Sequence, residues 1–268
     1  MNKTKVKEIT IADRLYIRKE DVEDHDTLIS LYTYNNGDEF LSTIEEDDTH
    51  YIVPSNSYHK LEWDSVVDHR NFVETDSDLQ FSGTLRWEQQ EVVDKFFTKG
   101  RARSGLLQAP CGWGKTFTGC EIIARNNTKS LVLVHTKLLF RQWIEELERQ
   151  IPNIKIGKVG DGILDVQDIT VGIYKSVYNN REILKDSFSM VLVDEAHRLR
   201  RRKNIPNYGP FDAINNKIGL GTEGDELDWV RHAAKKVVLF YDKNQSVRPS
   251  DILPEKISNL DAEEFQLH

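Results

Sequence analysis

Hydrophobic and polar positions follow two regimes along the chain. Up to about residue 80, short runs at residues 14–17, 28–34 and 50–53 mix β-branched and aromatic residues with polar ones. That alternation predicts strands of a small, half-buried sheet. Asn35-Asn36-Gly37 reads as a turn between two such runs, and the acidic residues 45–48 as a solvated loop. From Leu85 the pattern changes. Apolar positions at helical spacing over residues 88–97, 116–124, 138–150 and 227–234 alternate with continuous apolar runs at 104–108, 130–134, 169–173, 190–193 and 237–241. A continuous run suits a strand buried on both faces. Strands alternating with helices predict an α/β fold whose parallel sheet carries helices on both faces, with ligands at the carboxyl ends of the strands. The expected organisation is an acidic β-rich accessory module over residues 1–80, an α/β lobe over 81–255, and a tail over 256–268.

Charge sharpens this division. The formal net charge is −8. Residues 1–80 carry 8 Lys and Arg against 19 Asp and Glu, whereas the other 188 residues are slightly basic. An acidic front repels phosphate, so a nucleic-acid surface is expected in the second part. The two cysteines, Cys111 and Cys120, have neither zinc spacing nor the numbers for a disulfide framework. No apolar stretch is long enough to cross a bilayer, and the N-terminal residues lack the apolar core of a secretory signal. A cytoplasmic location, without a membrane partner, is the resulting expectation.

The most informative segment is Ala109-Pro110-Cys111-Gly112-Trp113-Gly114-Lys115-Thr116, between a predicted strand and a predicted helix. That is the setting of a phosphate-binding loop. Gly112 and Gly114 let backbone N–H groups wrap a polyphosphate. The helix N-terminus adds partial positive charge. Lys115 supplies a point charge to the phosphates, and the Thr116 hydroxyl can hold Mg²⁺. Ala109 stands where the general pattern has its first glycine. The matching carboxylates follow the run at 190–193, as Asp194-Glu195-Ala196-His197. Asp194 is placed to hold Mg²⁺, Glu195 to orient or deprotonate a water, and His197 to contact a phosphate-sensing segment.

These residues carry a family resemblance. Leu85-Arg86-Trp87-Glu88-Gln89, the phosphate loop and Asp194-Glu195-Ala196-His197 together resemble a superfamily 2 helicase of the DEAH-box type, in its phage-encoded form. The resemblance implies a RecA-like P-loop NTPase lobe that uses ATP and Mg²⁺ and acts on DNA or RNA, in the host cytoplasm for a phage-encoded protein. By the same resemblance Gln89 recognises adenine. Residues 131–143 are similar to the segment holding the nucleic-acid backbone, with Thr136, Lys137 and Gln142 as contacts; residues 169–176 add Lys175. Beyond His197 the chain is instead similar to Schlafen-like P-loop helicase domains. That likeness rests on the basic run 198–203 and on Tyr241-Asp242-Lys243-Asn244-Gln245. It implies a coupling role for Asp242 and a γ-phosphate sensor in Gln245. Arg200 and Arg201 either grip phosphates or form part of a solvated face. Trp143 falls at core spacing with Leu139 and Leu147. Only 23 residues follow Gln245, too few for a second RecA-like lobe. A fragment of a longer chain, a partner lobe or chain, or an ATP-dependent binding switch without productive turnover, are the alternatives this leaves open.

Overall fold

The computed structural model describes residues 3–12, 14–35, 40–54, 57–97, 104–152, 154–242, 248–258 and 263–266. It divides into two compact units, residues 1–71 with 261–263 and residues 72–260 with 264–268.

The first unit holds a mixed sheet of β1 (Thr4–Ile11), β2 (Leu15–Arg18), β5 (Glu45–Glu46), β6 (His50–Val53) and β7 (Leu61–Asp68), in the order β5-β6-β2-β1-β7. β1 pairs with β7 in parallel and with β2 antiparallel. β3 (Thr33–Asn35) and β4 (Phe40–Ser42) form a separate antiparallel pair. Val6, Ile9, Leu15, Ile17, Leu28 and Tyr32 make its core. Two expectations fail in this unit, and the first is the acidic loop at 45–48, whose Glu45 and Glu46 form β5 against β6. Most of residues 28–34 is not a strand, because α1 (His25–Leu31) occupies the first part. Asp24 caps this helix, its carboxylate accepting from Thr27 N at 3.0 Å and Thr27 Oγ1 at 2.7 Å. A local cap of this kind outweighs β propensity in a short segment.

The second unit is a parallel-rich sheet with helices on both faces. Its elements in chain order are α2 (Trp87–Phe97), β8 (Gly105–Gln108), α3 (Lys115–Asn126), β9 (Ser130–Val134), α4 (Lys137–Gln150), β10 (Ile156–Gly160), β11 (Ile163–Asp165), β12 (Ile169–Ile173), α5 (Tyr174–Asn179), α6 (Arg181–Leu184), β13 (Met190–Val193), α7 (Gly209–Lys217), α8 (Glu226–Ala233), β14 (Lys236–Tyr241), α9 (Pro254–Ser258) and β15 (Glu263–Gln266). The strand order is β11-β10-β12-β9-β13-β14-β8-β15. β10, β12, β9, β13, β14 and β8 pair in parallel, and β11 turns back antiparallel on β10.

Alternate residues of each central strand serve opposite faces. Val132, Val134, Leu192, Val238 and Phe240 pack with α2, α3 and α4, while Leu131, Leu133, Val191, Val193, Leu239 and Tyr241 pack on the other side. Burial on both sides explains why these strands read as unbroken apolar runs. α4 begins at Thr136, whose hydroxyl accepts from Leu139 N at 3.2 Å, and buries Phe140, Trp143, Ile144 and Leu147. The segment after residue 72 runs past the amino ends of β9 and β13. Val73 N donates to Ser189 Oγ at 2.6 Å, and the Asn127 side chain accepts from Leu79 N and Thr75 Oγ1. Asn127 closes α3 in the left-handed region, φ +50°, which asparagine tolerates better than most residues.

Candidate nucleotide site

The loop between β8 and α3 sits at the carboxyl end of the sheet, beside the ends of β14 and β13. Ala109 N donates to Tyr241 O at 3.1 Å, fixing the loop's start to the end of β14. Gly112 (φ +78°) and Gly114 (φ +94°) take left-handed conformations, and Gly114 caps α3. A Cβ on Gly112 would meet only open space, while one on Gly114 would lie 2.6 Å from Gln89 Nε2. Gly112 therefore serves backbone conformation, and Gly114 also serves a close approach. The Lys115 ammonium donates to Ala109 O at 2.9 Å, folded back inside the loop. Pro110 and Cys111 are exposed, Trp113 is half-buried against the core, and Thr116 lies in the first turn of α3.

Gln89 is buried. Its Nε2 donates to Trp113 O at 3.1 Å, and its Oε1 accepts from Arg86 N at 3.0 Å. The Arg86 guanidinium also donates to Trp113 O. In this conformation Gln89 and Arg86 therefore brace the phosphate loop.

Asp194 follows β13 directly and is 4% exposed. Its Oδ2 accepts from the indole N–H of Trp143 at 2.8 Å. Burial pushes its carboxyl above the ordinary range; the Trp143 hydrogen bond opposes this, the neighbouring Glu195 adds to it, and Lys115 opposes it. Glu195 is held in the left-handed region, φ +57°, an unusual place for a side chain of its size. Its carboxylate lies 3.3 Å from Nε2 of the fully buried His197, whose ring meets Tyr241 edge-on at 6.0 Å. Asp242 is buried immediately after β14. Gln245 lies outside the described residues.

The expected nucleic-acid contacts fall apart into two groups. Thr136 spends its hydroxyl on the α4 cap; Lys137 pairs with Asp161; Gln142 and Lys175 are exposed. The basic run is largely tied down within the unit. Arg200 donates through backbone and side chain to Glu226, at 2.6–2.8 Å. Arg201 donates to Pro249 O, Arg202 pairs with Asp212, and Arg198 meets buried Asp251 at 3.2 Å. Neither Trp143's hold on Asp194 nor the surroundings of Tyr174 are visible in the linear pattern. The Tyr174 hydroxyl is buried without a hydrogen-bond partner, and its pKa is pushed well up by burial and by the charges of Glu226, Asp194 and Glu195.

The residues present suit a nucleotide with a divalent ion. Two left-handed glycines and a helix N-terminus form a concave set of N–H donors, and a lysine, a hydroxyl and a buried carboxylate border it. Among the described residues no group of three or more His, Cys, Asp or Glu could hold a metal ion.

Fold and site thus define a P-loop nucleotide-binding domain of the helicase-like α/β class. The chain belongs to the family described as Type III restriction enzyme, res subunit, whose model matches residues 82–222, and is accordingly a superfamily 2 helicase-family ATPase domain. A protein of African swine fever virus, provisionally named an ATP-dependent RNA helicase, is 33% identical over 149 residues, which are 52% of this chain and 29% of that protein. A DNA 3′–5′ helicase, XPB, of Kineococcus radiotolerans is 31% identical over 125 residues, 43% of this chain and 22% of the relative. The chain thus spans less than a third of the length of these curated relatives. The crystal structure of the UvsW helicase from bacteriophage T4 aligns at 14% identity and TM-score 0.48, over 98% of this chain and 99% of that one.

Proposed function

We propose that this chain binds ATP with Mg²⁺ and hydrolyses it as part of a machine that moves on nucleic acid. The observation that carries the reading is the convergence of the phosphate loop and the Asp194-Glu195 pair at the carboxyl ends of β8 and β13, the two strands that flank β14. Lys115 leaves the Ala109 carbonyl and reaches the β- and γ-phosphates. Gly112 and Gly114 supply N–H donors to the same oxygens. Thr116 and Asp194 hold the metal, which when bound neutralises charge on the transferred phosphoryl group. Glu195 orients the attacking water, and His197 reports the state of the site towards Tyr241 and Asp242. Gln89 exchanges its bond to Trp113 for the adenine edge. The nucleic-acid reading draws on the relatives, one named for RNA and one for DNA. DNA, with RNA as the second candidate, is the proposed track. Lys137, Gln142 and Lys175 are its proposed contacts outside the basic run.

Lys115→Ala removes the point charge from an otherwise intact loop. It is expected to abolish ATP turnover with the melting temperature unchanged, read by phosphate release and thermal unfolding. Full turnover in this variant would sink the assignment.

A further inference from the structure

The segment between β13 and β14 builds a cavity of about 230 Å³ that the nucleotide chemistry does not use. Its walls include Tyr178 from α5, Arg200, Pro206 and Asn207 from the loop after β13, Phe211 from α7 and Trp229 from α8. The rings are organised. Trp229 stacks with Tyr178 at 28° and 6.0 Å between centroids, and Phe211 packs against Trp229 at 4.4 Å. The indole N–H donates to Asn215 at 2.6 Å, so the ring is held in orientation. The Arg200 guanidinium is locked on Glu226, which fixes its plane while half its side chain stays exposed.

From this we infer that the cavity is a receptor for one unpaired base of a single-stranded nucleic acid. The inference rests on the nucleic-acid reading above and gives it a location. Four observations support it. First, the volume is below the roughly 300 Å³ at which pockets for larger ligands begin, and suits one ring system. Second, aromatic faces with a fixed guanidinium plane are the surfaces on which exposed bases stack. Third, Asn207 spends its Oδ1 on Gly209 N at 3.0 Å, which leaves its amide NH₂ to offer a base edge. Fourth, two uncommitted cations lie close in sequence to lining residues. Lys175 lies one helical turn before Tyr178, and Lys203 lies two residues before Ile205, another lining residue. Both are exposed, and among the described residues neither makes an ion pair. Two acids of this region are already matched, Glu226 with Arg200 and Asp212 with Arg202. Phosphates flanking a seated base would be met by Lys175 and Lys203. Arg200 is thereby given a part in base stacking rather than in gripping phosphate.

The test uses the full chain without nucleotide, and a short single-stranded DNA and its RNA counterpart, each carrying iodouracil. Binding is read by anisotropy and contact by photocrosslinking with peptide mapping. A crosslink at Tyr178 or Trp229 is expected, with whichever nucleic acid is preferred. Tyr178→Ala should raise Kd about fivefold or more, while Trp229→Phe, which keeps a ring, should retain most of the affinity. Thermal unfolding and basal ATP turnover, unchanged in both variants, show that the fold is intact. Crosslinks elsewhere, with Tyr178→Ala binding as tightly as the unmodified chain, would overturn the inference and leave the ATPase reading standing; the cavity would then suit a protein side chain. ATP turnover without binding of either oligonucleotide would overturn it together with the nucleic-acid part of the proposed function.

Discussion

Trp143 has two roles that conflict in most side chains. It is fully buried, with its ring stacked on Phe240 at 6.3 Å, and its one polar atom serves Asp194. An indole can do both because it is apolar in body and a donor at one edge. Trp143→Phe keeps the ring packing and leaves Asp194 without its oriented donor. The expected result is a turnover or Mg²⁺ affinity about 10- to 100-fold lower, with the larger effect at limiting Mg²⁺, measured by metal titration of the ATPase rate. Asp194 itself stores a cost in the metal-free protein. Its folded pKa lies above its unfolded value. Between those values the folded chain holds a proton that the unfolded chain has lost, so stability falls as pH rises through that window. Asp194→Asn should flatten this part of the pH–stability curve, raise the melting temperature at neutral pH and abolish turnover. A melting temperature that falls at neutral pH would contradict the burial argument. The phosphate loop was legible in the sequence because its residues are contiguous and their chemistry local. The Trp143–Asp194 contact was not, since it joins residues 51 apart through the packing of α4 on the sheet. A tryptophan at core spacing gives no sign of the partner its N–H will find.

Among the elements, the central strands and the helices α2, α3, α4 and α8 followed from periodicity, because burial on two faces or on one stripe leaves a clear imprint. The edge pair β10 and β11 and the short α5 and α6 did not, since short or edge elements carry few periods, nor did α7, which buries only Phe211 and Asn215. The basic run reads as one feature in sequence. In the fold its arginines diverge to Glu226, Asp212, Asp251 and the Pro249 carbonyl, and so pin the segment between β13 and β14. The approach of α3 to α4 depends on Gly119, where a Cβ would lie 2.6 Å from Trp143 Cη2 and 3.1 Å from Phe240 Cε2. Both neighbours are rings locked in the core, so neither yields easily. Gly119→Ala should cost about 1–3 kcal/mol, seen as a drop of several degrees in melting temperature. Because the displaced ring is the one holding Asp194, ATPase activity should fall more than stability alone explains. A variant as stable and active as the unmodified chain would show that α3 and α4 can separate freely.

For the molecule as a whole, the two units differ in charge and in kind. The first is an acidic mixed sheet; the second carries the proposed nucleotide site, the cavity and the basic segments. The phosphate chemistry proposed above falls in the second unit, where the charge asymmetry of the sequence leads one to expect it. The match to the res-subunit family ends at residue 222, before β14 supplies Tyr241 to anchor the start of the phosphate loop. A working site therefore draws on both stretches of the chain. The measurement that bears on this most directly is steady-state ATP hydrolysis, titrated in turn with single-stranded DNA, duplex DNA and RNA. Turnover that rises with one of them and disappears in Lys115→Ala is the predicted result. Turnover indifferent to every nucleic acid, or undiminished in Lys115→Ala, would contradict the account.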